Sequence, residues 1–386
     1  MNLILCLTEQ CNLRCSYCYY NETQAARHAV MDDATLEQAI CIGLERTLAF
    51  GQKQLVVSFF GGEPLLRKDA IYNAVGFAKA LVAEAIEQGR AGHDFRLNFV
   101  VNTNGTLFDE EFLDFCEREN FTIFLSLDGP EHHQDIARRT VNNTGSFKDI
   151  ERNIPRLVKL GATALSTITR AHVSTIAESI KWLHAQGFKS IATAVDFDGK
   201  WTGDDFEKLA VQYREMAQYW LECRKAGDKF FLGTIQDKVK LLLSGKRLRQ
   251  YSCHVYDGNI GVATNGNIFP CARFITSKEN APYLQGNVFT GFDEIACNEM
   301  REFLARDKAE CEGCDIRYRC SMHECACTSF YTTGRLEGVS AEVCTHERML
   351  VEICDSAINI PTLRHPDESQ DQHSDPVPIP RIISSK

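Results

Sequence analysis

The sequence predicts an α/β fold, in which a partial (β/α)6 TIM-like barrel is followed by a small cysteine-rich domain. Short β-rich runs alternate with helical patterns about six times in the first ~200 residues, as in parallel sheets covered by helices. The run QLVVSFF at 54–60 is almost wholly apolar, which is typical of a strand buried on both faces. Most of the 17 cysteines are concentrated in two regions, one near the N-terminus and one between 311 and 344. A doubly wound sheet is the alternative fold.

The spacing of apolar residues predicts each element in turn. A first strand is expected at 2–7, and a helix begins at Asp32 and Asp33. The apolar face of this helix consists of Leu36, Ile40, Leu44 and Leu48. Further strands are predicted at 54–60, 95–101, 121–127, 162–169 and 189–197. Helices are predicted near 68–88, 109–118, 147–160 and 173–186.

Changes in composition divide the chain into four predicted segments. Residues 1–202 form the barrel, and residues 203–248 form a helical linker. Residues 249–358 form a cysteine-rich domain held together by metal, in which clear helical patterns are rare. Residues 359–386 are rich in proline and polar side chains and predict a disordered tail.

Charge and hydropathy exclude two broad classes of protein. With 42 basic and 52 acidic residues the net charge is −10, which argues against binding to nucleic-acid phosphates. No apolar run reaches the ~18 residues of a membrane span, and the N-terminus lacks the basic segment of a signal peptide. We therefore expect a cytoplasmic protein, in which dense cysteine indicates metal binding rather than disulfides.

Three cysteines, Cys11, Cys15 and Cys18, lie within eight residues directly after the first predicted strand. Thiolates so close together can bind one metal centre. Structural zinc usually takes four ligands, and Cys6 is the candidate for a fourth. Three cysteines on a four-iron cluster would instead leave one iron open to a small molecule.

The segment CNLRCSYC at 11–18 resembles the cluster-binding motif of the radical S-adenosylmethionine (SAM) superfamily, including the aromatic Tyr17. Other motifs follow predicted strands where that family has them. They are GGEP at 61–64, NTNGT at 102–106, SLDGP at 126–130 and DIAR at 135–138.

The resemblance implies a [4Fe-4S] cluster on the three cysteines, with an open iron that binds SAM. It also implies that Glu63 holds the amino group of SAM and that Ser126 with Arg138 holds its carboxylate, Arg170 being the second choice. The residues expected to bind the cofactor are Tyr17, Gly61, Gly62, Glu63, Pro64, Asn104, Ser126, Asp128 and Arg138.

The C-terminal cysteines resemble the SPASM extension of peptide-modifying radical SAM enzymes. The interval between Cys320 and Cys325 is four residues rather than the usual three, and Cys327 is an extra candidate. The resemblance implies two auxiliary [4Fe-4S] clusters. Their ligands would be Cys253, Cys271 and Cys325, with Cys327 replacing or joining Cys325, and then Cys311, Cys314, Cys320 and Cys344. A structural zinc site is the alternative for these cysteines, and His323 is a further candidate ligand.

The resemblance therefore implies an enzyme that reductively cleaves SAM to a 5′-deoxyadenosyl radical. The modification expected is a thioether or carbon–carbon crosslink within a ribosomally made precursor peptide. Implied partners are a flavodoxin- or ferredoxin-type electron donor and a separate leader-peptide-binding protein. The sequence does not identify the general base. His132, His133 and His172 are candidates because of their positions near strand ends.

Other functions remain as alternatives. A radical SAM dehydrogenase or epimerase would act on a small molecule. A sulfatase-maturing enzyme is less favoured, because the aspartate expected after Cys271 in such enzymes is Ala272 here. A non-catalytic iron- or zinc-binding module and a nucleic-acid-modifying enzyme are the remaining readings.

Overall fold

The computed structural model describes residues 1–18, 29–244, 258–277, 281–304, 306, 308–320, 323 and 325–358. Cys253 and the predicted disordered tail at 359–386 lie outside these described residues. No helix within the described ranges combines the length and hydrophobicity that crossing a membrane requires.

The six strands predicted for the barrel are all present and parallel. They are β1 (Asn2–Thr8), β2 (Gln54–Gly61), β3 (Arg96–Thr103), β4 (Thr122–Ser126), β5 (Thr163–Ile168) and β6 (Ser190–Val195). They lie side by side in chain order. In a doubly wound sheet the order of the strands across the sheet reverses at a switch point. The order of β1 to β6 does not reverse, which confirms the partial barrel.

Helices connect these strands and cover the outer face of the sheet. They are α1 (Asp33–Ala49), α2 (Lys68–Glu87), α3 (Glu110–Arg118), α4 (Glu131–Ala137), α5 (Phe147–Glu151), α6 (Ile154–Lys159) and α7 (Ile176–Ala185). Asp32 caps α1, since its side chain accepts a hydrogen bond from Thr35 N at 2.7 Å. The single helix predicted at 147–160 is wrong: it is divided into α5 and α6, with Pro155 in the first turn of α6.

The segment predicted as a helical linker also contributes to the sheet. It contains α8 (Gly203–Lys225), β7 (Phe231–Leu232) and α9 (Gly233–Ser244). β7 pairs with β6 and extends the parallel sheet by one strand. Arg170, at the end of β5, binds Asp205 in the first turn of α8 with a 2.7 Å contact.

The cysteine-rich domain joins the same sheet on its other side. Its first strand, β8 (Asn259–Val262), pairs in parallel with β1, and β9 (Ile268–Phe269) follows antiparallel to β8. The remaining elements are β10 (Gly286–Asn287), β11 (Gly291–Phe292), α10 (Glu294–Leu304), α11 (Ala326–Thr333) and α12 (Ala341–Ala357). Helices are thus more frequent here than the sequence predicted. α12 packs against α8 and α9 of the preceding segment.

The barrel core is apolar and centred on aromatic rings. Phe59 of β2 is fully buried. Its ring stacks on Phe99 at 6.4 Å and on Phe121 at 5.9 Å between centroids. Three rings from neighbouring strands and loops therefore fill one layer under the sheet.

Replacing Phe59 by alanine should lower the free energy of unfolding by about 3–5 kcal/mol, because it removes buried contacts and leaves a cavity. Phe289→Ala is the matched control, since this ring is 60% exposed, and its effect should stay within about 0.5 kcal/mol. Chemical denaturation followed by circular dichroism measures both. Equal effects of the two changes would contradict the packing described here.

Candidate active site

The cysteine loop at 11–18 lies at the carboxyl end of β1, where barrel enzymes place their chemistry. Backbone hydrogen bonds hold the loop against the segment after α4. Arg14 N donates to Arg139 O at 2.7 Å, and Ser16 N donates to Ala137 O at 2.9 Å. Sixteen cysteines fall within the described residues, and none of these sixteen forms a disulfide. The loop therefore presents Cys11, Cys15 and Cys18 from a fixed backbone.

The GGEP turn after β2 packs directly against the start of this loop. Gly62 N donates to Thr8 O at 2.8 Å, and Glu63 N donates to Gln10 O at 2.8 Å. A Cβ atom on Gly62 would lie only 2.1 Å from Gln10 O, and Gly61 has a φ of +140°. Only glycine allows this backbone conformation and this close approach.

Glu63 is buried within this turn. Its Oε1 accepts hydrogen bonds from Leu65 N at 3.0 Å and Thr103 Oγ1 at 2.7 Å, and its Oε2 accepts from Asn104 N at 2.8 Å. Burial raises the pKa of the carboxyl group to about 7. Pro64 then starts a short 3₁₀ helix. Glu63 thus joins the ends of β2 and β3 beneath the cysteine loop.

Asn104, after β3, connects these elements to the cysteines. Its Nδ2 lies 2.9 Å from Asn12 Oδ1 and 3.8 Å from Cys11 Sγ. Its Oδ1 accepts from Thr106 N at 3.0 Å. The amide therefore faces the first cysteine of the trio.

A buried ion pair lies on the other side of the loop. Asp128, fully buried after β4, accepts from Arg138 Nε at 2.8 Å and Nη2 at 3.2 Å, and from Thr167 N at 2.7 Å. The Arg138 guanidinium lies over the Tyr17 ring at 5.2 Å. Sequence reasoning placed these residues in one site but missed their pairing. Ser126, the last residue of β4, is partly exposed nearby.

The first residue of the DIAR motif and the glycine at 145 contact each other and fix the local backbone. Asp135 Oδ1 accepts from Ser146 N at 2.8 Å and from Phe147 N at 3.0 Å. A Cβ on Gly145 would lie 1.9 Å from the same carboxylate. This contact holds the loop after Arg138 and thereby orients the arginine.

Two of the candidate bases, and Arg170, make polar contacts within the protein. Both ring nitrogens of His133 lie 2.5 Å from hydroxyls, those of Ser179 and Thr175. Burial lowers the pKa of His133 to about 4. His172 Nδ1 lies 2.8 Å from Thr169 Oγ1, and His132 is exposed. Hydrogen bonds inside the protein thus engage both ring nitrogens of His133 and Nδ1 of His172, and Arg170 pairs with Asp205.

Three C-terminal cysteines form one group near the start of α11. Cys325 and Cys327 have their Sγ atoms 3.3 Å apart. A hydrogen bond with Cys271 raises the pKa of Cys327 to about 12. Cys327 therefore lies next to Cys271, and Cys325 lies next to Cys327.

Four other cysteines surround a second position. Cys311, Cys314, Cys320 and Cys344 line one cavity of about 60 Å³ beside α12. His323 is buried in the same wall. A single water needs at least about 10–15 Å³, so the cavity has room for a larger occupant. Four thiols suit an iron–sulfur cluster or zinc.

Comparisons with known proteins agree with this site. Residues 5–173 match the model of the radical SAM superfamily. Residues 5–173 are therefore a radical SAM domain. Proteins of this superfamily use a [4Fe-4S] cluster and SAM, and the described cysteine trio lies within the matched residues and fits that cluster.

Among curated proteins, the chain is similar to the cysteine-type anaerobic sulfatase-maturating enzyme of Clostridium perfringens. The two are 22% identical over 323 residues, which is 79% of this chain and 83% of that enzyme. This chain is also 31% identical to the serine-type anaerobic sulfatase-maturating enzyme of Bacteroides thetaiotaomicron, over 39% of this chain and 34% of that enzyme.

Solved structures show the same fold over nearly the whole chain. The structure of anSMEcpe with bound AdoMet has a TM-score of 0.73 and 17% identity, and covers 93% of this chain and 98% of that one. Streptococcus suis SuiB bound to S-adenosylmethionine has a TM-score of 0.59 and 16% identity. It covers 89% of this chain and 76% of that one. The predicted pairing of a radical SAM fold with a C-terminal cysteine-rich domain is confirmed.

Asp128→Asn should destabilise the protein by about 3–5 kcal/mol, since it leaves the Arg138 charge buried without its carboxylate. Asp94→Asn is the control, because Asp94 pairs with Lys53 on the surface and should have no measurable effect. Urea denaturation tests both variants. A D128N protein as stable as D94N would show that Arg138 does not depend on Asp128.

The raised pKa of Glu63 predicts a pH-dependent stability in protein prepared without iron or SAM. The folded state holds this proton more tightly than the unfolded chain, whose glutamate has the ordinary value of 4.5. The stabilisation is complete below pH 4.5 and is lost as the pH rises through about 7. The melting temperature of the wild type relative to Glu63→Gln should therefore fall between pH 5 and pH 8. A difference independent of pH would contradict this prediction.

Proposed function

We propose that this enzyme modifies a ribosomally made peptide, forming an intramolecular thioether or carbon–carbon crosslink. The observation that carries the proposal is the presence of three groups of thiols in one fold: the trio at the barrel mouth, Cys271 with Cys325 and Cys327, and the four-cysteine cavity. The two C-terminal groups fit auxiliary iron–sulfur clusters, which can accept the electron that an oxidative ring closure releases.

The cofactor supplies the difficult chemistry. With SAM bound to a reduced [4Fe-4S] cluster on Cys11, Cys15 and Cys18, one electron from the cluster would cleave SAM to methionine and a 5′-deoxyadenosyl radical, which would supply hydrogen-atom abstraction from an unactivated carbon. The protein's own groups bind and orient. In this proposal Glu63 would bind the amino group of SAM, and Arg138, held by Asp128 beside Tyr17, would bind its carboxylate. Tyr17, Asn104 and Ser126 complete this proposed cofactor site.

The relatives and structural neighbours support a peptide substrate. One structure of SuiB is bound to the precursor peptide SuiA, and one of anSMEcpe is bound to the Kp18Cys peptide. A flavodoxin- or ferredoxin-type donor and a separate leader-peptide-binding protein belong to the same proposal.

Sulfatase maturation is the second candidate function. The similarity to the Clostridium and Bacteroides enzymes favours it. Ala272 opposes it, because the residue after Cys271 has no carboxylate to act as a base. The neighbouring Arg273 instead contacts Asp198 at 3.3 Å.

Anaerobically reconstituted enzyme with SAM and dithionite should form 5′-deoxyadenosine, and a peptide encoded beside its gene should lose two hydrogens. The variant with Cys11, Cys15 and Cys18 changed to alanine should form none, whereas Cys41→Ala, a change on α1, should be active. Liquid chromatography with mass spectrometry measures both products.

The same experiment separates the two candidate functions. A crosslinked peptide does not react with a hydrazine probe, whereas a formylglycine product in a sulfatase-derived peptide does. The triple alanine variant should also retain about eight irons if both C-terminal groups hold four-iron clusters. Wild-type enzyme that forms no 5′-deoxyadenosine would overturn the proposal, and zinc in place of iron would overturn the auxiliary clusters.

A further inference from the structure

Arg348 contacts a cysteine sulfur of the four-cysteine cavity. It lies on α12 one turn after Cys344, so both side chains share a helix face. Its Nη2 is 3.3 Å from Cys314 Sγ, and its Nη1 is 2.7 Å from Asp315 Oδ1. The guanidinium therefore joins the loop that carries Cys314 to the helix that carries Cys344.

Among the described residues near this cavity, Lys238 and Arg319 are committed to carboxylates, whereas Lys308 bonds to the Ser329 hydroxyl and Arg317 lines the cavity. Lys238 Nζ lies 2.7 Å from Glu347 Oε2, and both side chains are buried. Arg319 forms a bidentate pair with Asp355, with contacts of 2.9 and 2.5 Å. In each pair the carboxylate offsets the positive charge. Arg348 differs, because one of its N–H groups points at a sulfur while Asp315, its carboxylate partner, is largely exposed.

This geometry has a direct consequence for the electron affinity of a bound cluster. One-electron reduction adds one negative charge to the cluster, and part of it resides on the cysteine sulfurs. A charged N–H donor to a sulfur stabilises that charge. Hydrogen bonds to sulfur and solvent exposure are among the factors that set iron–sulfur potentials.

We propose that Arg348 raises the reduction potential of the iron–sulfur cluster held by Cys311, Cys314, Cys320 and Cys344. The inference rests on the iron assignment in the proposed function and deepens it. A higher potential would make this cluster, rather than the Cys271 group, the place where the substrate's electron comes to rest. Arg348 is a positioning residue, since it acts through Cys314.

The test uses the full chain with Cys11, Cys15 and Cys18 changed to alanine, so that the first cluster is silent. Arg348→Gln removes the donor to Cys314. Arg335→Gln is the matched control, because Arg335 is exposed and pairs with Glu310 at 3.4 Å, so the same charge is lost without a sulfur contact. Asp315→Asn removes the loop anchor while keeping the arginine.

Metal analysis and a dithionite titration followed by electron paramagnetic resonance give the readouts. The signal of this cluster is the one that Cys344→Ser alters. We expect R348Q to keep its iron and to shift the potential of that signal to more negative values than R335Q does. Arg348→Lys, which keeps the charge, should shift it less. D315N removes a negative charge 4.0 Å from Cys314 Sγ and should not shift the potential to more negative values.

Three results would overturn the inference. The first is an equal shift of the potential in R348Q and R335Q. The second is loss of iron in both R348Q and D315N, which would show that Arg348 is only a structural anchor. The third is zinc at the site. Failure here is distinguishable from failure of the proposed function, which is judged by 5′-deoxyadenosine and the peptide product of the wild type. A potential shift without those products would leave the role of Arg348 standing and remove the peptide reaction.

Discussion

Hydrogen bonding on both edges of β1 is the constraint on which the rest of the structure depends. β1 pairs with β2 of the barrel on one side and with β8 of the cysteine-rich domain on the other. The Asn2 side chain connects all three strands, since it accepts from Ser58 Oγ at 2.6 Å and donates to Asn259 Oδ1 at 3.0 Å. The loop with the first three cysteines leaves the end of this strand. Its position is therefore set by both domains.

The proposed cofactor site contains polar groups that are expensive to bury. Glu63, Asp128 and Arg138 are each at least nine-tenths buried. Desolvation of such groups costs several kcal/mol unless hydrogen bonds replace water. Here backbone N–H groups at the ends of β3 and β5 supply part of that replacement, from Asn104 and Thr167. The parallel sheet thus holds the charged groups in place before a ligand arrives.

Much of the fold and site could be predicted from the sequence because the relevant signals are local. Apolar runs marked the six barrel strands, and the CNLRCSYC and GGEP motifs marked the loops after β1 and β2. Pairings between distant segments could not be predicted, since they depend on how the folded elements approach. The Asp128–Arg138 pair and the joining of β8 to β1 are of this kind. The contacts of Cys327 with Cys271 and with Cys325 at the start of α11 are also of this kind.

The shared sheet also limits how the protein can be divided. A fragment that ended before β8 would leave one edge of β1 with unpaired N–H and C=O groups, and such edges recruit strands from other molecules. The barrel without its cysteine-rich partner would then tend to self-associate. Because both domains belong to one sheet, a rigid-body hinge motion between them would break backbone hydrogen bonds between β1 and β8. Electron transfer between the cysteine sites would therefore occur by tunnelling across fixed distances rather than by movement of a domain.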